Sequence, residues 1–233
     1  VKGFRLDKGY GPMNKEIELK YLLSSKEDLL LLKQTLLPYV KQSSLLIQEN
    51  FYFDTPGLSF RKEGISLRLR KENQKYLLTA KQSLSKKKGE NNLSVRLEYE
   101  GSISKEVGEL IASGYLSPLE SFAALSAGEE ATKKRLFDHM KKASKLGLQL
   151  WGSFINHRTA MPLEILGHHV VLELDHSFYP KNVEIFEVEV EFLSIEQAEV
   201  LRPLIEDLFR KIPIKTFQSI SKSSRLYHLL TKS

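Results

Sequence analysis

The 233-residue sequence predicts an α+β fold: a closed antiparallel β-barrel with a charged inner face, surrounded by helices. Three observations predict it. At least five segments alternate charged with apolar residues at period 2, the spacing of a strand with two different faces. The faces opposite the charges, among them Leu67, Leu69, Leu172, Leu174, Val188 and Val190, are aliphatic and need cover. Runs of like charge such as Glu187, Glu189 and Glu191 repel unless cations compensate. For any one strand, the solvated face of an ordinary antiparallel sheet is the readier explanation of the alternation. For all of them together, a barrel with its charges inside answers both difficulties.

The elements follow in order. "NKEIELKYLL", residues 14–23, sets Leu19, Tyr21 and Leu23 on one strand face and Glu16, Glu18 and Lys20 on the other. Turning those charges inward is costly, a cost that usually has a functional reason. Ser24-Ser-Lys-Glu27 is a capping-box pattern and predicts a helix over 26–37, stopped near Pro38. "LIQENFYF" (46–53) is a strand ending in a turn at Asp54-Thr-Pro-Gly57. "ISLRLRKE" and "KYLLTAKQ" form a hairpin around Asn73, and "LSVRLEYEGSI" is a further strand.

Residues 103–150 change character, with helical spacing, more Gly, Ala, Ser and Lys and little β-branching. They predict an insert of two or three helices. "SFINHRTAMPLEI", "HHVVLELDHSF" and "VEIFEVEVEF" return to strands. Ser194-Ile-Glu-Gln197 caps a helix running to about Arg210, with Pro203 early enough to bend it only slightly, and "SKSSRLYHLLTK" is a short terminal helix. No repeat, heptad run or low-complexity linker divides the chain. Residues 14–233 therefore read as one domain, and 1–13, with three glycines and a proline, as an N-terminal extension.

Composition narrows the classes. The 41% apolar and 27% charged content is that of an ordinary globular protein. Without cysteine there are no disulfides or thiolate metal sites, which fits a reducing cytoplasm. No apolar run reaches the roughly 18 residues of a membrane span, and residues 1–13 hold no apolar signal-peptide centre. A cytoplasmic protein with no membrane partner is expected. The net charge of +6 permits an anionic partner. Lys86-Lys87-Lys88 reads as a flexible hairpin tip; no aromatic residues are interleaved with it, so no nucleic acid is expected. The six histidines suggest no catalytic site, and the glycine loops of P-loop and dinucleotide folds are absent.

The charged positions carry the chemistry. Arg68 and Arg70 share a face of "SLRLR", Lys81 follows "LLTA", and Arg96, Glu98 and Glu100 share a face of "VRLEYE". Glu173 and Asp175 do so in "VLELDH", and Glu187, Glu189 and Glu191 in "FEVEVEF". Carboxylates and basic groups in one lumen are the combination that a metal-bound polyanion requires.

These residues resemble the CYTH-domain proteins, also called triphosphate tunnel metalloenzymes. The Glu-x-Glu-x-Lys signature stands as Glu16-Ile-Glu18-Leu-Lys20. By itself it is a weak pattern; the order of further matches gives it weight. "QENFYFDTPG", "GISLRLRKE", "LLTAK", "VRLEYE", "NHR", "LELD", "FEVEVE" and "SISKSSR" follow in the family's sequence, covering about 14–230. The 103–150 insert and the N-terminal dozen residues have no counterpart by motif.

The resemblance implies an eight-stranded antiparallel tunnel that holds a triphosphate, with a divalent metal on its acidic side. Implied first are the metal ligands Glu16, Glu18, Glu187 and Glu189, whose hard oxygens suit Mg²⁺ or Mn²⁺. Asp175, Glu98 and Glu100 come second, as ligands of another ion or as groups orienting the attacking water; with Glu16, Glu18 and Lys20 they make the implied catalytic set. Glu173 and Glu191 share the parity but fall toward a tunnel mouth. The implied substrate-binding cations are Lys20, Arg68, Arg70, Lys81, Arg96, Arg158 and Lys222, arginine gripping phosphate as a fork and lysine as a point charge. Arg96 also suits a structural ion pair with Glu98.

The activity implied is hydrolysis of the terminal phosphate of an inorganic or organic triphosphate by a monomer or homodimer. The family also contains class IV adenylate cyclases and thiamine triphosphatases, and the charged motifs do not separate them. A thiazolium cation would need an aromatic platform, for which Trp151 is the sole tryptophan. From a different class, a non-catalytic polyphosphate-binding module would have no use for so many inward carboxylates.

Overall fold

A computed structural model describes residues 14–84, 93–125 and 131–231. The expected N-terminal extension, 1–13, and the tip at Lys86-Lys87-Lys88 lie outside the described residues. Eight long strands alternate in polarity: β1 (Asn14–Leu23), β2 (Ser44–Asp54), β3 (Ile65–Glu72), β4 (Lys75–Ser83), β5 (Leu93–Ile103), β6 (Gln149–Ile165), β7 (His168–Tyr179) and β8 (Val183–Phe192). They pair antiparallel in the order β5-β4-β3-β2-β6-β7-β8-β1, and the pairing of β1 with β5 closes the barrel. A short ninth strand, β9 (Thr216–Gln218), adds to the end of β1 outside the ring. Closure leaves the eight strands no open edge.

Turn chemistry fixes the hairpins. Leu166 and Gly167, between β6 and β7, both take positive φ (50° and 75°), as a two-residue loop matched to strand twist requires. Asn73, at the predicted β3–β4 hairpin, also takes positive φ, a conformation that its short polar side chain tolerates.

Seven helices are described: α1 (Lys26–Leu36), α2 (Ser59–Lys62), α3 (Lys105–Ala112), α4 (Pro118–Leu125), α5 (Ala131–Ala143), α6 (Ile195–Lys211) and α7 (Lys222–Thr231). The α1 cap falls one residue later than expected. Ser25 Oγ accepts from Asp28 N at 3.2 Å, while the Ser24 amide is engaged by Lys215 O at 3.1 Å beside β9. Ser194 caps α6 as expected, and α6 runs unbroken through Pro203.

Two apolar layers wrap the barrel. Leu32 and Leu36 of α1 and Ala198, Leu201, Ile205 and Phe209 of α6 cover Ile17, Leu19, Met161, Leu172, Leu174, Val188 and Val190. Phe60 of α2 and Ile111, Leu119, Phe122, Leu136 and Met140 of α3–α5 cover Leu67, Leu69, Leu78, Ala80 and Leu97. Each large side chain so buried contributes about 1.5–3 kcal/mol relative to exposure. Gly108 lets α3 approach β4, since a Cβ there would lie 2.2 Å from the Tyr76 ring. A third cluster sits on the inner face. Tyr52, Phe154 and Tyr179 stack there with centroids 5.9 and 4.5 Å apart, and Leu226 of α7 packs among them.

Candidate active site

With the aliphatic face turned out to the helices, the alternate residues of every long strand point inward. Glu16, Glu18, Lys20, Arg68, Arg70, Arg158, Asp175, Glu187 and Glu189 are all buried. Strand register decides who meets whom. Glu16 lies across from Arg96, and Glu18 and Lys20 from Glu191 and Glu189. Lys81 faces Glu98, Thr79 faces Glu100, and Arg158 faces Asp175, which in turn faces Glu187.

The buried charges are densely paired. Lys20 Nζ lies 2.7 Å from Glu18 and 3.2 Å from Glu189. Lys81 bonds Glu16 and, at 3.0 Å, Glu98; Arg96 bonds Glu18 and approaches Glu16 at 2.9 Å. Arg158 grips Asp175 with two nitrogens and also bonds Glu189 and Glu173. Lys222, from α7, reaches Asp175, Glu187 and Glu189. On the opposite wall Arg70 Nε donates to Asn50 Oδ1 at 3.0 Å. Arg68 donates from Nη2 to Thr79 Oγ1 at 3.2 Å, while its buried Nε has no hydrogen-bond partner. Glu100 accepts from Thr79 and stands 3.6 Å from Arg68.

The carboxylates gather into two groups. Asp175, Glu187 and Glu189 place one oxygen each within 4.8 Å of one another, and so do Glu16, Glu98 and Glu191. Glu187 and Glu189 thus join Asp175, while Glu16 stands with Glu98 and Glu191. Glu18 and Glu100 belong to neither group among the described residues. Both groups offer only hard carboxylate oxygens, a donor set that fits Mg²⁺ or Mn²⁺ and suits softer ions poorly.

Charge pairing favours the ionised form of Glu16, Asp175 and Glu189. Burial alone would raise Asp175 and Glu189, but Arg158 and Lys222, with Lys20 for Glu189, hold both carboxyls below the ordinary range. Glu173 goes the other way. Burial, reinforced by Glu191, Asp175 and Glu189 and only partly opposed by Arg158, pushes it up to about 7.

Some inner-face residues escaped the sequence reading. Asn156 donates to Asp175 at 2.8 Å, and its parity with Arg158 in "NHR" was the available signal. Arg225 bonds Glu187 at 2.8 Å and the Tyr179 hydroxyl at 3.3 Å. Its spacing of three from Lys222 places both on one helix face. Trp151 is stacked on Tyr227 of α7 at 5.6 Å, so one of its ring faces is already covered.

Comparison with known proteins agrees with this architecture. The CYTH domain family matches residues 14–227. YjbK of Bacillus subtilis (strain 168), a provisionally assigned triphosphatase, is 25% identical over 222 residues, covering 95% of this chain and 100% of that protein. A provisionally assigned adenylyl cyclase from Hippeastrum, reported to have a dominant triphosphatase activity, shares the fold at 24% identity. Its TM-score is 0.72, with 91% of this chain and 95% of that one covered. A provisionally assigned adenylate cyclase from Bacillus halodurans is 25% identical with a TM-score of 0.66, over 92% of this chain and 100% of that one.

Proposed function

Because the chain belongs to the CYTH domain family, we propose that it hydrolyses the terminal phosphate of a triphosphate inside the barrel, with Mg²⁺ or Mn²⁺ as cofactor. The observation that supports this reading is one inner face carrying two convergent carboxylate groups together with a set of buried cations. A plain anion receptor has no need of the first, and a structural ion-pair network has no need of the convergence.

Asp175, Glu187 and Glu189 would hold one ion, and Glu16, with Glu98 and Glu191, is the counterpart for another; Glu18, bonded to Lys20 and Arg96, would set the position of those cations beside the ion. When bound, the ion polarises the phosphoryl group and screens its charge. Arg68 and Arg70, on the wall away from Asp175, would take oxygens of successive phosphates. Lys20, Lys81, Arg96 and Arg158 add positive charge while anchoring the carboxylates they already bond, and Lys222 adds positive charge from α7. Water is the nucleophile. Its oxygen bonds to the terminal phosphorus as the bridging P–O bond breaks, and the bridging oxygen leaves on the diphosphate. Glu100, which joins neither carboxylate group among the described residues, is the carboxylate we assign to orienting that water and accepting its proton.

The likeness to the Bacillus halodurans protein motivates a second reading, class IV adenylate cyclase, in which the ribose 3′-hydroxyl of ATP attacks the α-phosphorus and pyrophosphate leaves. One panel separates the readings. Tripolyphosphate, ATP and thiamine triphosphate are each assayed for orthophosphate, pyrophosphate and cyclic AMP, with and without Mg²⁺ or Mn²⁺. Orthophosphate release that requires metal is expected. Cyclic AMP with pyrophosphate would replace hydrolysis by cyclisation, and tight metal-independent binding without turnover would make the protein a receptor.

A further inference from the structure

The Lys222 ammonium bonds every member of one acidic group: Asp175 Oδ2 at 2.8 Å, Glu187 Oε1 at 2.5 Å and Glu189 Oε1 at 2.7 Å. Arg158 reaches two of the three, and Arg225 and Lys20 one each. An ammonium at hydrogen-bonding distance from three convergent carboxylate oxygens stands where a small divalent ion would be drawn. Such an ion needs oxygens at about 2.0–2.1 Å, and the two cations cannot share that space.

Lys222 is also the first residue of α7, and the two ends of that helix are held differently. Its later residues are anchored by packing. Leu226 is buried among Tyr52, Phe154 and Tyr179, and the Tyr227 ring lies between the Arg61 guanidinium (3.9 Å) and Trp151 (5.6 Å). Leu230 presses on Gly152 so closely that a Cβ there would meet it at 2.7 Å. The first turn, in contrast, is held by polar contacts: hydrogen bonds with Tyr179 and Arg61, and ion pairs to the barrel. Lys222 bonds the acidic group, and Arg225 bonds Glu187.

We propose that Lys222 is a tethered stand-in for the divalent ion: an ion taken up by Asp175, Glu187 and Glu189 expels the ammonium, loosens the first turn of α7 and frees Lys222 for a phosphate oxygen. Metal alone then binds weakly, because its apparent affinity is reduced by the fraction of molecules in which the lysine is out. A polyanion gives the expelled ammonium a new partner, so metal and polyanion favour each other reciprocally. The last consequence rests on the triphosphatase reading; the exchange itself rests only on the acidic group.

The test uses metal without substrate. Wild type and Lys222→Met are titrated with Mn²⁺ alone, free ion being followed by electron paramagnetic resonance. The variant is expected to bind at least about tenfold more tightly, the competing cation having been removed. In parallel, wild type is given Mg²⁺ while hydrogen exchange in 222–231 and the fluorescence of Trp151, the sole tryptophan, are recorded. Faster exchange confined to the first turn, with Trp151 fluorescence unchanged because Tyr227 stays packed, is the expected result. Equal Mn²⁺ affinity in the two proteins, or exchange in α7 that is unchanged or slowed by Mg²⁺, overturns the proposal. If Lys222→Met does not fold, the wild-type exchange measurement decides alone. Metal-dependent hydrolysis without the exchange sinks this inference only. The exchange without hydrolysis of any triphosphate sinks the hydrolase reading only.

Discussion

Arg158 holds Asp175 by two parallel bonds, Nε to Oδ1 at 2.8 Å and Nη2 to Oδ2 at 2.6 Å, and the carboxylate they clasp has no exposed surface. The pair joins β6 to β7 from inside the barrel. Removing one partner of a buried pair strands the other charge, at a cost of about 3–5 kcal/mol. Arg158→Met is therefore expected to lower unfolding stability by several kcal/mol in urea denaturation, well beyond what a surface ion pair would cost. Its role is then structural before it is substrate-binding. A loss below about 1 kcal/mol would show that Lys222 and Asn156 suffice to hold Asp175.

The opposite wall leads to a different expectation. Arg68 and Arg70 sit two apart on β3, so their side chains share one face about 7 Å apart along the chain. Arg70 donates to Asn50 and Arg68 to Thr79 with Glu100 3.6 Å away, and Arg68 Nε has no hydrogen-bond partner. A charge-assisted fork to phosphate is worth roughly 1.5–3 kcal/mol, or one to two decades. Arg68→Ala and Arg70→Ala should each lower triphosphate turnover at least about tenfold, with much smaller effects on a monophosphate ester. Unaltered kinetics in either variant would remove that arginine from the binding set.

What the sequence disclosed, and what it did not, follows from the same geometry. "ISLRLRKE", "LSVRLEYEGSI" and "VEIFEVEVEF" coincide with β3, β5 and β8, because charge alternating at period 2 has no helical interpretation. Strand β9 is three residues with Phe217 exposed, too short to show a period. Helix α2 depends on Asp54 accepting from the Phe60 and Arg61 amides, a contact across several residues that local patterns do not reveal. The division of the carboxylates was equally hidden. Parity tells which face a side chain takes, but closure tells which neighbour it meets. The first half of β1 pairs with β5 and the second half with β8, so Glu16 meets Arg96 while Lys20, four residues on, meets Glu189.

Glu173 supplies a pH dependence. Its carboxyl is raised from 4.5 to about 7, so between those values the folded state holds a proton that the unfolded chain has lost. Stability must then fall as pH rises through that window, at up to about 1.4 kcal/mol per pH unit. Glu16, Asp175 and Glu189 are lowered, so their contribution has the opposite sign and is confined to the acid edge of that window. It is common to wild type and a Glu173 variant. Glu173→Gln should gain stability over wild type at pH 8 and lose that advantage near pH 5, as measured by urea midpoints in chelator. Parallel pH profiles for the two proteins would mean that Glu173 is ionised throughout.

Metal removal tests the two acidic groups separately. Chelator should abolish turnover and Mn²⁺ restore it, since without an ion the inward carboxylates oppose a polyanion entering the lumen. Glu187 lies in one group and Glu191 in the other. Each sits on β8 with its side chain inward, four residues apart, so a Gln at either position keeps the shape and removes one negative charge. Loss of one hard ligand weakens Mg²⁺ or Mn²⁺ binding because these ions depend on carboxylate charge to offset their hydration. Glu187→Gln is expected to raise the Mn²⁺ needed for half-maximal turnover about tenfold, the scale of losing one charge-assisted contact. Glu191→Gln should shift it similarly if a second ion takes part. A group whose variant leaves the metal requirement unmoved does not hold an ion that turnover needs. Should neither variant move it, both groups revert to ion-pair partners of Lys222 and Lys81.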